Sequence, residues 1–280
     1  MNGIIIVNKP ASYTSHDVVN VLRRILHTKK VGHCGTLDPD ATGVLVVCVN
    51  KATKLVPYLT SDTKEYIGTL SLGSLTDTYD ASGEVVESKE YKKIDEEIIK
   101  ETILSFVGKQ IQKPPIYSSI KVNGKKLYEY ARSGEPVEIP TREVEILEME
   151  LLQIKDNLIT FRALCSKGTY IRSLCVDIAK KLGYPGHMAT LQRTKSGVFS
   201  IDKSYTLEQI ENNEHTLFSI EEALQGYPKY IIEDDTVIYH GKQIPSKTQE
   251  EVVVYNKEGK ALAIYGPAKE GYLKNIRGLW

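Results

Sequence analysis

The sequence reads Gly32-His33-Cys34-Gly35-Thr36-Leu37-Asp38-Pro39-Asp40-Ala41-Thr42-Gly43 between a predicted helix and a predicted strand. From Val31 to Gly43 the chain has three glycines, one proline and no hydrophobic period, which predicts a long structured loop. Loops of this length in a compact domain are usually functional, because the surrounding elements position them while their side chains stay accessible. A functional site is therefore expected first in this loop.

Apolar runs on both sides of the loop predict its framework. Ile4 to Val7 and residues 44–49 are short apolar runs typical of buried strands, and Pro10 ends the first. Ser15 is predicted to cap a helix that ends near His27. Further strands are predicted at 65–73, 143–154 and 158–165, and helices at 51–60, from Asp95 and at 170–182. Because strands and helices mix without βαβ alternation, we expect an α+β fold with a mixed, largely antiparallel sheet and flanking helices.

The pattern changes near residue 229. Short predicted strands at 251–255 and 261–265 are joined by a turn at 256–259, and glycines punctuate the segment. We therefore predict two domains, residues 1–228 and residues 229–280, the second a small all-β module.

Composition excludes several classes of protein. With 280 residues, 41% hydrophobic and 26% charged, the chain is typical of a globular protein. Its longest apolar run, residues 44–49, is far shorter than a membrane span of about 20 residues, and Ile4 to Val7 is too short for a signal peptide. We expect a cytoplasmic protein. The four cysteines form no C-x-x-C pair and the six histidines have no metal-binding spacing, so we expect buried thiols and no metal site.

Charge is segregated although the total is zero. Residues 1–60, 109–132 and 162–195 carry net charges of +4, +5 and +6, whereas 77–101 and 208–222 are acidic. Tyrosines interleave with the lysines and arginines of the second basic segment. Convergence of these segments on one face would suit a nucleic acid, although solvated surface charge scattered over the molecule explains the same pattern.

The loop also contains Asp38-Pro39-Asp40-Ala41-Thr42, which fits the D-x-D-x-T pattern of Mg²⁺-dependent aspartyl phosphatases. That chemistry needs its first aspartate directly after a buried strand of about four apolar residues. Gly35 and Thr36 stand there instead, so this hydrolase is kept only as an alternative.

Other motifs accompany the segment Gly35-Thr36-Leu37-Asp38-Pro39-x-Ala41-Thr42-Gly43. In chain order they are Asn8-Lys9-Pro10 with Thr14-Ser15, Lys64-Glu65-Tyr66, Gly73 with Thr76-Asp77-Thr78 and Asp80, Tyr117-Ser118, the run from Gly124 to Arg132, the run from Lys167 to Leu174, and Leu191-x-Arg193. This ordered set, over residues 3–200, resembles the bacterial tRNA pseudouridine-55 synthases of the TruB type. Ser12, where the family commonly has glycine, and Gln192, within what is often Leu-Arg-Arg, depart from its pattern.

The resemblance implies a pseudouridine-synthase-like domain at 1–228 and a short PUA-like RNA-binding domain at 229–280. It implies an isomerase that converts uridine to pseudouridine at position 55 in the T-loop of tRNA, by base flipping and without a cofactor. The implied partner is the T-arm stem-loop of tRNA. No obligate protein partner is implied, and we expect a monomer.

The same resemblance assigns residues to roles. It implies that Asp38 is the catalytic carboxylate, that Arg172 pairs with it and that Tyr66 stacks on the target base. The implied substrate-binding residues are His33, which enters the RNA loop, Tyr170 and Leu191, which wall the pocket, Asp80, which braces Arg172, and Lys9.

Such a carboxylate must stay ionised in a pocket drier than water. Burial alone would raise the pKa of Asp38 above about 3.9, so a bidentate pair with Arg172 is expected to keep it charged. Taken singly, Asp38 is typical of a turn, Tyr66 of a strand core and His33 of a hydrogen-bonded loop. A non-catalytic RNA-binding protein therefore remains a second alternative.

Overall fold

The computed structural model describes residues 2–60 and 63–280. Met1, Ser61 and Asp62, which fall within the first predicted domain, lie outside the described residues. The strands are β1 (Gly3–Lys9), β2 (Val31–Cys34), β3 (Thr42–Val49), β4 (Lys64–Leu72), β5 (Ser74–Thr76), β6 (Val85–Ser88), β7 (Gly108–Gln112), β8 (Lys121–Val122), β9 (Lys125–Lys126), β10 (Arg142–Lys155), β11 (Leu158–Cys165), β12 (Gly186–Ser196), β13 (Phe199–Ser200), β14 (Lys229–Ile231), β15 (Ile244–Pro245), β16 (Val252–Tyr255), β17 (Ala261–Pro267) and β18 (Tyr272–Gly278).

The helices are short and lie between these strands. They are α1 (Ser15–Ile25), α2 (Val56–Leu59), α3 (Glu96–Leu104), α4 (Leu127–Ser133), α5 (Ile171–Lys181), α6 (Leu207–Glu211), α7 (Ile220–Ala223) and α8 (Asp235–Tyr239), with 3₁₀ turns at Asn50–Leu55 and Ile201–Lys203. None of the helices in the described part of the chain is long and apolar enough to cross a bilayer.

One large sheet organises the first 200 residues. Among the described residues it has nine strands, in the order β1-β3-β12-β4-β11-β10-β7, with β2 attached to β3 and β13 to β12. Strands β3 and β12 run parallel, and the other described neighbours in this sheet run antiparallel. The predicted α+β class with a mixed, largely antiparallel sheet is confirmed.

Both faces of β1 are covered, which explains its continuous apolar sequence. Ile5 packs with Leu22 of α1, whereas Ile4 packs in a cluster that includes Ile264 of β17. Further along the sheet, Leu174 and its neighbours on α5 are buried against β4, β11 and β12. The sheet is therefore a middle layer, with α1 and α5 on one side, and with α2, α7 and the C-terminal module near β1 on the other.

The C-terminal module is a five-stranded sheet of order β14-β16-β17-β18-β15, accompanied by α8. It has its own cluster of buried side chains, which includes Val254, Leu262, Tyr265 and Leu273. Because Val253 and Ile264 also pack with Ile4 of β1, the module shares part of its core with the large sheet.

Several strands were not predicted from the sequence, among them β7, β14, β15 and β18, and two further differences bear on the site. Val31 to Cys34 was expected to open the loop but pairs with β3, Val31 opposite Val49 and Cys34 opposite Val46. The expected loop is shorter for that reason, since backbone pairing continues as far as Cys34. Strand β12 was not predicted at all, because bulges between Met188 and Thr190 and between Arg193 and Lys195 break the two-residue alternation.

Gly43 shows how closely β12 approaches the loop. Its φ is +96°, and a Cβ there would overlap the carbonyl oxygen of Arg193. We expect Gly43→Ala to destabilise the fold by several kcal/mol, because backbone must move to relieve the clash. Gly183→Ala is the matched control, since Gly183 has φ +81° but no atom near the added Cβ, and it should cost only about 1 kcal/mol. Equal losses in chemical unfolding of the two variants would refute the explanation.

Candidate active site

A cavity of about 340 Å³ opens where the loop, the sheet and α5 meet. The residues that line it come from all three basic segments: Gly35 to Asp38 from the first, Tyr117, Ser118 and Tyr128 from the second, and Tyr170 to Arg172 with Leu191 and Arg193 from the third. Lys64 and Tyr66 of β4 complete one wall. Five of the eight residues to which the resemblance gives a role therefore line this cavity: Asp38, Tyr66, Tyr170, Arg172 and Leu191.

Asp38 and Arg172 form a two-point ion pair at this cavity. Arg172 Nη2 donates to Asp38 Oδ1 at 3.0 Å, and Arg172 Nε lies 2.9 Å from Asp38 Oδ2. The Arg172 side chain is 5% exposed and that of Asp38 is 35% exposed, so the carboxylate is the partner that faces the cavity. The expected bidentate pair is thus met in part: Nη2 makes a hydrogen bond, whereas Nε is within ion-pair distance of Oδ2 without forming a hydrogen bond.

Arg172 is also held by two backbone carbonyls and by Asp80. Arg172 Nη1 donates to the Thr78 carbonyl at 3.1 Å, and Nη2 donates to the Tyr117 carbonyl at 3.0 Å. Asp80 Oδ2 lies 3.5 Å from Nη1, while its Oδ1 accepts hydrogen bonds from Thr78 and Ser82. Asp80 accordingly lies where it can brace Arg172. Both oxygens of the Asp80 carboxylate already have partners within the protein.

Burial raises the pKa of Asp38, and the nearby Asp80 carboxylate adds to the rise, whereas the Arg172 guanidinium opposes it. The expectation that Arg172 alone sets the ionisation is thus incomplete. Arg172 limits a rise that burial would otherwise make larger. A carboxylate in this situation is more basic than an ordinary aspartate.

Tyr66 and Leu191 of the sheet, together with Tyr170, form the walls beside Asp38. Tyr66 of β4 is 9% exposed, and burial raises the pKa of its hydroxyl, so the ring stays neutral. Leu191 of β12 lies opposite Gly68 of β4, and Tyr170 is the residue just before α5. All three line the cavity, as predicted.

Thr14 and Ser15, at the start of α1, have different roles. Thr14, and not Ser15 as predicted, is the N-cap of α1, because its side chain accepts from Asp17 N. The Ser15 hydroxyl is instead buried and accepts from Leu37 N at 2.9 Å. Its position on α1 therefore fixes the residue next to Asp38.

Lys9 and His33 do not line the cavity. Lys9 is 0% exposed, and its amine donates to the carbonyls of Pro10, Tyr13 and Pro39 at 2.6 to 2.9 Å. Burial lowers the pKa of Lys9 to about 8. The prediction that Lys9 binds substrate is corrected: an amine enclosed by three carbonyls ties the loop to the end of β1. His33 lies half-buried on β2, and burial lowers its pKa, which favours the neutral ring.

Arg193 and Gln112 contribute to the site although the sequence predicted no role for either. Arg193 is 1% exposed, lies opposite Tyr66, and donates to the Val44 carbonyl at 2.7 Å and the Gly35 carbonyl at 3.2 Å. The side-chain amide of Gln112 bonds both backbone groups of Tyr170, at 2.8 and 3.0 Å. Proximity of Arg193 to Leu191 within one motif was the available signal, whereas nothing in the sequence indicated Gln112.

The aspartyl phosphatase alternative does not fit this geometry. Asp38 lies four residues beyond the end of β2, and β2 pairs antiparallel with its neighbour β3. The carboxylate is therefore not at the carboxyl end of a buried parallel strand, where that chemistry requires it.

Comparison with known proteins gives consistent results along the whole chain. The family "TruB family pseudouridylate synthase (N terminal domain)" matches residues 23–171, and "tRNA pseudouridylate synthase B C-terminal domain" matches residues 172–227. The tRNA pseudouridine synthase B of Bacillus subtilis (strain 168) is 45% identical over 303 aligned residues, covering 100% of this chain and 98% of that protein. That of Oceanobacillus iheyensis is 44% identical, with 99% and 97% covered.

Solved structures agree with the sequence relatives. A chain in the crystal structure of a Cbf5-Nop10-Gar1 complex superposes with a TM-score of 0.79 at 26% identity, covering 99% of this chain and 85% of that one. A chain in the archaeal box H/ACA sRNP Nop10-Cbf5 complex gives 0.77 at 25% identity, with 99% and 86% covered. The similarity therefore includes the C-terminal module as well as the large sheet.

Proposed function

Because this chain belongs to the TruB family of pseudouridylate synthases, we propose that it converts uridine to pseudouridine at position 55 in the T-loop of tRNA. The observation that carries the proposal is the paired carboxylate of Asp38, which faces a cavity between Tyr66 and Leu191. The substrate is tRNA, bound through its T-arm, and the enzyme acts as a monomer in the cytoplasm without a protein partner.

The reaction explains why the cavity is built this way. Isomerisation breaks the bond between N1 of uracil and C1′ of ribose, joins C5 to C1′, and moves a proton from C5 to N1. No electrons are gained or lost overall, so no redox cofactor is required. The base must leave the RNA loop to be reached, at a cost of a few kcal/mol, and stacking on Tyr66 offsets about 1–3 kcal/mol of it.

Asp38 supplies the one group that must react as an anion. Arg172 holds it in a fixed orientation toward the cavity through two contacts. Tyr170 and Leu191 exclude water around the base, and Asp80 keeps Arg172 in place. His33, beside the cavity on β2, contacts the RNA loop left by the everted nucleotide.

We further propose that residues 1–228 are the catalytic domain and residues 229–280 a short PUA-like RNA-binding domain. The separate buried cluster of the second segment supports this division. Its shared contacts with β1 favour a fixed orientation of the two parts during RNA binding.

The experiment is a site-mapped isomerisation assay. The protein is incubated with a T-arm stem-loop, and pseudouridine is located by primer extension after chemical derivatisation. We expect modification at position 55, unaffected by chelation of divalent ions, and none in an RNA with cytidine there. Tight binding without modification would support the non-catalytic alternative, and phosphate release that requires Mg²⁺ would support the phosphatase.

A pH profile tests the ionisation of Asp38. Because burial raises its pKa, kcat/KM should fall on acidification at a higher pH than an ordinary aspartate would cause. RNA affinity and circular dichroism at each pH separate this titration from loss of binding or unfolding. An acid limb at or below the ordinary aspartate value would contradict the geometry described above.

A further inference from the structure

Arg142, the first residue of β10, lies beside Tyr170 of the cavity wall. Its guanidinium carbon is 5.6 Å from the centroid of the Tyr170 ring, and Tyr170 lines the cavity. None of the motifs described above includes this arginine. The residue is half-buried, so it is not closed off from solvent.

No acidic side chain in the described part of the chain pairs with the guanidinium of Arg142. Arg172 pairs with Asp38, and Arg162 contacts Glu65, Glu148 and Glu150. By contrast, the side chain of Arg142 makes no hydrogen bond or ion pair with any residue that the structure describes. Strand alternation directs Glu143 and Glu145, its acidic neighbours on β10, to the opposite face of the sheet.

The surroundings of Arg142 hold it in this place. Gly168 has φ +81°, and a Cβ there would lie 3.0 Å from Arg142 Nη1, so glycine leaves the space that the guanidinium fills. Arg142 lies opposite Gln112 on β7, and Gln112 bonds the backbone of Tyr170. The two neighbours therefore fix Tyr170 together, one through its ring and the other through its backbone.

We propose that Arg142 binds a backbone phosphate of the RNA beside the everted nucleotide. The inference rests on the proposed function, because it requires a nucleotide whose base occupies the cavity. The Tyr170 ring lies on one side of the guanidinium, and no described residue accepts a hydrogen bond from its N–H groups, which match the spacing of two phosphate oxygens. A phosphate accompanies every nucleotide at the rim whatever its base, so this contact positions the substrate and does not read its sequence.

The first test measures RNA affinity against salt for the full chain and for Arg142→Gln, with a T-arm stem-loop. We expect binding about tenfold weaker at low salt, and a slope of log Kd against log salt that is smaller by about 0.7 to 0.9, which corresponds to one phosphate. The control is Lys109→Gln, which removes a positive charge from the adjacent strand β7, where Lys109 is exposed and lies 3.5 Å from Glu143. For this control, Kd should stay within about twofold of the unaltered protein, and the salt slope within about 0.2.

The second test identifies the phosphate. Single methylphosphonates, which remove one phosphate charge, are placed in turn around the target uridine. At one position next to the target uridine, we expect the methylphosphonate to weaken RNA binding by the unaltered protein but not by Arg142→Gln. The loss of affinity from the methylphosphonate and that from the substitution then fail to add. Additive losses at every position, or an unchanged salt slope, would overturn the proposal.

The two proposals fail differently. If the unaltered protein neither binds nor modifies the stem-loop, the proposed function fails. If it modifies the RNA but Arg142→Gln has the same affinity and salt slope, only the role of Arg142 fails. Arg142→Lys gives a third readout should the glutamine variant unfold: it keeps the charge and should retain the salt slope with a weaker Kd.

Discussion

Asp38→Asn is expected to lower kcat by about 10⁴-fold or more while RNA affinity stays within about tenfold. The amide keeps the size of the side chain but has no negative charge, so the reacting group is lost and the cavity is not. Arg172 keeps its bonds to the Thr78 and Tyr117 carbonyls, and its orientation should persist. Single-turnover isomerisation with saturating enzyme, together with equilibrium binding, measures the two quantities separately.

Asp40→Asn is the matched control for this variant. Asp40 carries the same charge two residues away in the same loop, but it is exposed and makes no contact with Arg172 in the described structure. Its replacement should leave turnover within about twofold. If Asp38→Asn retained full activity, or if Asp40→Asn lost as much, the assignment of Asp38 as the reactive carboxylate would be wrong.

Arg172→Gln is expected to have the second largest effect, on activity and on stability together. It leaves Asp38 and Asp80 close to each other without their shared cation, and it removes donors from two carbonyls. Loss of a partner from a buried ion pair costs about 3–5 kcal/mol. Since the Asp38 side chain keeps 35% exposure, we expect about 3 kcal/mol in chemical unfolding.

The pH profile distinguishes this role from a merely structural one. The guanidinium opposes the rise in the pKa of Asp38, so its removal should raise that pKa further and move the acid limb of kcat/KM to higher pH. Activity should therefore recover in part on the alkaline side. A loss of equal size at every pH would mean that Arg172 only supports the fold. Arg162→Gln, which lies in a network with the exposed Glu148 and Glu150, is the control and should leave the limb in place.

The sequence predicted the fold where hydrophobic periods were intact. Helix α5 and strands β1, β3, β4, β10 and β11 lie within one or two residues of their predicted bounds, because their burial follows one simple alternation or stripe. Strand β12 was not predicted because its buried residues shift register at two bulges. Leu191 and Arg193 therefore do not continue the pattern begun by Gly186 and Met188. Pairing with β3, and not the local sequence, makes a strand of Val31 to Cys34.

The site was predictable only where a recognisable motif held the residue. Asp38 and Arg172 are 134 positions apart, and no local pattern indicates that they touch. The contact was predicted only because both residues lie in motifs that resemble those of the family. Motif membership misplaced Lys9, because a motif does not distinguish a residue that binds RNA from one that holds a loop. Gln112 and Arg142 are visible only in the structure, since their roles depend on pairing between β7 and β10.

The most direct test of the central claim is a crystal structure of the Asp38→Asn variant with a T-arm stem-loop, because this variant should bind RNA without converting it. The account predicts an everted uridine in the cavity, its base stacked on Tyr66 and its ribose or base within about 4 Å of the side chain at position 38. A bound stem-loop whose uridine 55 stayed stacked in the RNA, with the cavity beside Arg172 empty, would contradict it.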